Sequence, residues 1–165
     1  ERAFKWQPQA RLRLAAIIPH MPDRAAAVAE RWKLSNAERD RLIDWAEAPD
    51  VKPDLSEAAF AKLLYRSKPH AVQDRVRLAL ASARAKANDN PEWLEAVANY
   101  ARLTRFAESW KKPKFPLAGA DMIDAGFSQG PRMGQALRDL EERWIESGFR
   151  LDRDTLLDEA KSLSG

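Results

Sequence analysis

Apolar residues recur at intervals of three and four from one end of this chain to the other, and no stretch alternates apolar with polar residues for long. The first spacing puts side chains on one stripe of an α-helix; the second would be needed for a half-buried strand. Alanine reinforces the helical reading. "DRAAAVAE", "EAAFAKLL" and "LALASARAKA" combine the residue of highest helix propensity with side chains small enough for helices to approach closely. The expectation is an all-α fold, a multi-helix bundle-like body carrying a C-terminal glycine-rich helical hairpin.

Capping signals divide this pattern into helices. Pro19 and Pro22 close a first helix, and Asp23 is placed to cap a second on which Val28 and Trp32 share a face. Ser35 with Glu38 three residues on is a reciprocal capping box opening a third, lined by Leu42, Trp45 and Ala46. Ser56 caps a short helix burying Phe60, Leu63 and Leu64, and the next carries Val72, Val76, Ala79, Leu80 and Ala83. After "NDN", Pro91 is read as the first helical residue of the longest segment, the spine, which runs to Trp110 through Trp93, Val97, Tyr100, Leu103 and Ala107. "KKPKFPLAG" then breaks the chain, so we expect a helical body over 1–110 and a tail over 111–165, with Asp152 or Asp154 capping a last short helix.

The 165 residues, with 45% hydrophobic and 32% charged, read as globular, and no apolar run approaches the ~20 residues that span a bilayer, so no membrane partner is expected. Without cysteine, thiol catalysis, disulfides and thiolate metal sites are excluded, and a cytoplasmic protein is the expectation. The chain starts at Glu1 with no leader-like segment, and we read it as a piece of something longer. A net charge of +3 permits RNA or DNA without demanding either.

Four of the six glycines fall within "GADMIDAGFSQGPRMGQAL". Gly119 and Asp121 begin a helix with Met122 and Ile123 as its apolar residues, Gly126 ends it, Phe127 folds back as an anchor, and Gly130 with Pro131 opens a second helix carrying Met133, Leu137, Leu140 and Trp144. Two accounts of the glycines stay open. Gly126, Gly130 and Gly134 can leave amides uncovered at a helix N-terminus to hold a phosphate oxygen, with Arg132 and Arg138 beside them and Lys111, Lys112 and Lys114 in the preceding loop. Alternatively they serve only the turn, with Gly134 letting two helices pack closely, which is the commoner situation.

Other residues carry less. His20 and His70, each after a proline, read as turn or capping residues rather than ligands, since no pair stands at metal-binding spacing. "DLEE" and "LLDEA" read as solvated faces rather than catalytic carboxylates. Of six tryptophans, Trp32, Trp45, Trp93 and Trp144 are expected in the core, Trp110 is the candidate for stacking on a base, and Trp6 for packing on a missing part. Arg66, Lys68, Arg75 and Arg77 form a basic cluster, read as a solvated face with phosphate contact as the alternative.

The segment from Gly119 to Phe149 resembles the C-terminal tail of bacterial CCA-adding tRNA nucleotidyltransferases and their poly(A) polymerase relatives, through Gly119, Asp121, Met122, Ile123, Gly126, Gly130, Pro131 and Gly134. "RWKLSNAERDRL" and "LLYRSKPHAVQDRVRLALA" are similar, in the same order, to segments of that family's body domain. The resemblance implies a C-terminal RNA-binding fragment that holds the acceptor and T-arm side of tRNA, while an N-terminal head, absent here, binds metal and adds nucleotides. The fragment itself would need no cofactor and carry no catalytic residue, and the parent would use Mg and CTP or ATP. Rival expectations are an independent hairpin module binding duplex DNA and a helical protein-interaction domain.

Overall fold

A computed structural model describes residue 7 and residues 9–164. The described residues form helices α1 (Ala10–Ala15), α2 (Pro22–Arg31), α3 (Asn36–Glu47), α4 (Glu57–Arg66), α5 (Pro69–Asp89), α6 (Trp93–Ser109), α7 (Gly119–Asp124), α8 (Pro131–Glu146) and α9 (Arg153–Ser164), and no strand. The fold is all-α. By its contacts the chain divides into two units, Glu1–Trp110 and Lys111–Gly165. Trp6 lies outside the described residues.

In the first unit two apolar clusters share one helix. Val51, Phe60, Leu64, Val72, Val76, Leu103 and Ala107 join α4, α5 and α6. Ala15, Ala25, Leu42, Trp45 and Ala46 join α1, α2 and α3, and Leu78 of α5 packs against them. The expected spine was the segment ending at Trp110, but α5, at 21 residues against 17 for α6, is longer and reaches both clusters. Asp74 on α5 is 1% exposed and pairs with Arg11 of α1 and, at 3.4 Å, with Arg41 of α3. Both guanidiniums address the same carboxylate oxygen, and the cost of desolvating a buried charge offsets much of that attraction.

Local signals explain most boundaries. The Ser35–Glu38 capping box forms, with Glu38 N–H donating to Ser35 Oγ at 3.3 Å and Ser35 N–H to Glu38 Oε2 at 2.9 Å. Ser56 Oγ accepts from Ala59 N–H, and Asp152, not Asp154, caps α9 by accepting from Thr155 N–H at 2.9 Å. Asp23 is not a cap. Pro22 takes the first helical position behind an extended Met21, because its fixed φ suits that site, and Asp23 falls in the first turn. Nor is Pro91 the first residue of α6. Asn90 Oδ1 accepts from Glu92 N–H at 3.0 Å, and the amides of Trp93 and Leu94 reach back three residues to the Asn90 and Pro91 carbonyls, so a tight turn precedes the helix.

Trp32 and Trp93 depart from the expected core. Helix α2 docks through Ala25 and Ala29, which are buried, and this alanine stripe, one residue round from Val28 and Trp32, leaves Trp32 57% exposed. Trp93 is half-buried with the Lys86 ammonium 4.1 Å from its ring centre. Trp45 and Trp144 are buried as expected. Leu63 and Ala79 are partly buried at the margins of their helix faces.

In the second unit Met122, Leu140, Trp144, Leu156 and Ala160 are buried between three helices. Phe115 and Phe149 flank Trp144 edge-on, at 5.4 and 5.0 Å between ring centres.

Candidate nucleic-acid interface

Among the described residues, three helices end by one device. At α7, Gly126 N–H donates to Ile123 O and Phe127 N–H to Met122 O; at α8, Gly148 N–H donates to Ile145 O and Phe149 N–H to Trp144 O. Helix α2 repeats it with Lys33 N–H to Glu30 O and Leu34 N–H to Ala29 O. Each is a Schellman closure, with an apolar residue after the left-handed position folding back on the helix. That position is Gly126 at φ 97 and Gly148 at φ 74, but Lys33, at φ 52, holds it with a side chain.

Gly126 therefore ends α7 as the sequence implied, and Phe127 is buried beneath the turn. The turn then passes Gly130, whose φ of 156 and ψ of −174 fall where essentially only glycine is found. Pro131 follows at the first position of α8. Asp121 fastens the other side of the hairpin, accepting from Ala118 N–H at 2.7 Å and from the Arg153 guanidinium at 2.6 Å. The backbone bond and then Arg153 hold its carboxyl below the usual range.

The amides of this turn are not all uncovered. Gly126 donates to Ile123 O, and Gly134 donates to Gly130 O at 3.2 Å, the first bond of α8. What remain open, among the described residues, are the amides of Ser128, Gln129 and the exposed Gly130 in the turn and those of Arg132 and Met133 in the first turn of α8. Nor does Gly134 serve close packing of helices: a Cβ added there would meet only the tip of Arg138 on its own helix, at 3.7 Å. At Gly126, by contrast, an added Cβ would lie 3.3 Å from Ser164 Oγ at the end of α9. Gly126, Gly130, Arg132 and Ser164 line one depression.

The basic residues are dispersed around it. Arg132 donates to the Leu163 carbonyl at 3.2 Å, which orients one arm of its guanidinium toward the end of α9. Arg138 donates to Gln135 Oε1 at 2.7 Å, one turn back on α8. Lys111, Lys112 and Lys114 are exposed in the helix-free segment before Gly119.

The other cluster divides: Arg66 and Lys68 are exposed, as a solvated face requires, while Arg75 and Arg77 are not. Lys68 and His70 both engage Asp44, the latter at 2.9 Å; Arg75 pairs with Asp50, and Arg77 with Glu108 at 3.0 Å. Arg75 and Arg77 are largely covered, their side chains 15% and 22% exposed. Burial raises and the bonds to Lys68 and His70 lower the Asp44 pKa, with the net result below the usual range. His20 Nε2 lies 3.0 Å from the Trp45 carbonyl. Trp110 is half-buried against the α4–α6 core rather than presented as a free ring. No group of three His, Cys, Asp or Glu side chains among the described residues could hold a metal ion. No described helix is long and apolar enough to cross a membrane.

Over 55 residues the chain is 38% identical to the mitochondrial CCA tRNA nucleotidyltransferase 1 of Mus musculus, and over 55 residues 36% identical to that of Homo sapiens. The chain is a distant relative of these enzymes. Each match takes in 33% of this chain and only 13% of the relative. An uncharacterized 28 kDa protein from the petA 5' region of Rhodospirillum rubrum is 33% identical over 98 residues, 59% of this chain and 37% of that protein. No protein-family model matches the chain.

Proposed function

We propose that this chain is the tRNA-holding part of a CCA-adding or poly(A)-polymerase-like nucleotidyltransferase, with a helical body over 1–110 and a tail over 111–165. Its ligand is the acceptor and T-arm side of tRNA, held by phosphate and shape. Nucleotide addition, with Mg and CTP or ATP, belongs to an N-terminal head of the parent protein. The distant relation to tRNA nucleotidyltransferases supports the class.

The observation that carries the site is Gly134. A glycine inside a helix costs stability relative to alanine, and here no packing neighbour accounts for it. It keeps the first turn of α8 bare beside the open Arg132 and Met133 amides, where the positive end of the helix meets a phosphate oxygen. Arg132 and Arg138 supply charge at the same end; Gly126 and Gly130 shape the turn; Lys111, Lys112 and Lys114 extend the basic surface. Recognition of this kind reads duplex RNA by backbone and shape rather than by base edges.

The test is binding of the chain to a tRNA transcript lacking its CCA end, across a potassium chloride series, with duplex DNA as competitor. A salt-dependent preference for tRNA is expected, and Arg132→Ala should lower the salt slope by about one if it neutralises one phosphate. Equal binding to duplex DNA would replace this reading with a general duplex-binding hairpin. No nucleic-acid binding at any salt would leave a protein-interaction domain.

A further inference from the structure

Between α5, α6 and the loop over 48–56 lies an open groove of about 410 Å³, lined by Asp50, Lys52, Arg75, Ser82 and Tyr100 with Leu78 among its apolar residues. We propose that this groove binds a phosphate group, gripped by Arg75 and Lys52, and that the Asp50 carboxylate holds the phosphate's place until the ligand displaces it. The site lies in the first unit and is independent of the hairpin.

Arg75 is set as a receptor rather than a surface charge. Its side chain is 15% exposed and its guanidinium lies 5.8 Å from the centre of the Trp45 ring, so the planar fork is held by its surroundings before any ligand arrives. A fork of that shape matches two oxygens of a carboxylate or phosphate. In the structure the oxygen comes from Asp50, which is 84% exposed. An ion pair whose acidic partner stands in water contributes little, and is replaced at little cost.

Lys52, two residues along the same loop, is exposed and has no ion pair among the described residues, leaving one cation in the groove uncompensated. Tyr100 donates to the Val51 carbonyl at 3.1 Å and fixes the loop that carries both Asp50 and Lys52. Leu78, Ala79 and Pro53 form an apolar wall beside the charged end. A groove of this size, apolar on one side with a few fixed polar groups, suits a small ligand or a segment of a larger one. The chemistry is that of a phosphate with an apolar neighbour, supplied by a mononucleotide or by one nucleotide of a strand.

His20 provides an internal reporter. Burial, and then the positive charge of Arg75, depress its pKa against the opposing bond to the Trp45 carbonyl. Asp50 already carries one negative charge to Arg75; a phosphate in its place brings more, about −1.5 to −2 for a monoester at neutral pH, which weakens that repulsion further, so the His20 midpoint rises when the groove fills.

The experiment is an NMR titration of the whole chain with inorganic phosphate, CMP and a tRNA transcript, following the His20 ring and the amides of Lys52 and Ser82. Phosphate is expected to shift these signals and raise the His20 midpoint. Asp50→Asn should tighten phosphate binding by up to about fivefold and Lys52→Ala weaken it by a like factor, each being one exposed ion pair. Asp54→Asn removes the same charge from the same loop and should do less. Stronger response to CMP than to phosphate assigns a mononucleotide; displacement of phosphate by tRNA but not by CMP assigns a strand. Absence of a groove response to all three probes, or equal gains from Asp50→Asn and Asp54→Asn, overturns the proposal. Arg132→Ala should leave the groove response intact, so its failure and that of the hairpin reading are separable.

Discussion

Replacing Gly134 by alanine should make the protein more stable and its grip on tRNA weaker. Within a helix, glycine costs roughly 0.8–1 kcal/mol relative to alanine because it loses more backbone freedom on folding. Nothing in the structure opposes the gain. The added Cβ sits 3.7 Å from Arg138 Nη1, an ordinary contact with the end of a flexible side chain, and no other helix comes within 4 Å. Because Gly134 is only the fourth residue of α8, the full propensity difference is an upper limit, and a gain of about 0.5–1 kcal/mol is expected. Urea denaturation and hydrogen exchange of the α8 amides measure it. For tRNA, a methyl group over the open turn should remove one charge-assisted contact, about tenfold in affinity or more. A loss of stability would show that the fold needs the glycine. Unchanged tRNA affinity in the stabilised variant would remove α8's first turn from the interface.

Further perturbations separate the remaining roles. Gly130→Ala meets no neighbour within 4 Å, so its cost is backbone strain alone, about 1–3 kcal/mol by denaturation; no loss would mean that the turn tolerates a side chain. Ser35→Ala removes the cap of α3 and should cost about 1 kcal/mol by the same assay, whereas an unchanged midpoint would show the box to be idle in solution. Asp121 has a depressed folded pKa, so its contribution is present above the unfolded carboxylate pKa and is lost as pH falls through the lower folded value. Acid unfolding of the tail, followed by exchange of its amides, should therefore begin at higher pH than in Asp121→Asn relative to each protein's neutral stability; identical profiles would remove Asp121 as the titrating group. Lys33→Gly relieves a left-handed side-chain-bearing residue and should stabilise the α2 end by up to about 1 kcal/mol, with a drop in thermal midpoint refuting the strain.

The glycine hairpin was the most legible part of the candidate site. Gly126, Phe127, Gly130 and Pro131 take the turn positions that their chemistry prescribes, and Asp121 fastens the start of α7. The second Schellman turn, at Gly148 and Phe149, escaped notice although it repeats the same Gly-Phe pair. Lys33 gave no such signal, since a lysine does not advertise a positive φ. The groove around Arg75 was hidden more deeply. The sequence showed four nearby basic residues, but the partners that decide their roles, Asp44, Asp50 and Glu108, lie 24 to 31 residues away for the pairs of Lys68 and Arg77 and arrive from other helices or, for Asp50, from the loop over 48–56.

What the sequence determined by itself is everything settled within a turn or two of chain: the helical period, the Ser35–Glu38 box, the glycine closures and the proline that opens α8. These depend on bonds between residues at most five apart, so their residue types carry them. Only the tertiary structure decided which stripe of α2 is buried, that α5 rather than α6 unites the two clusters, that Gly134 packs against no other helix, and that Arg75 is sunk beside Trp45. Those outcomes depend on which helix docks opposite, and a helical period fixes the spacing of an apolar stripe without fixing what comes to cover it.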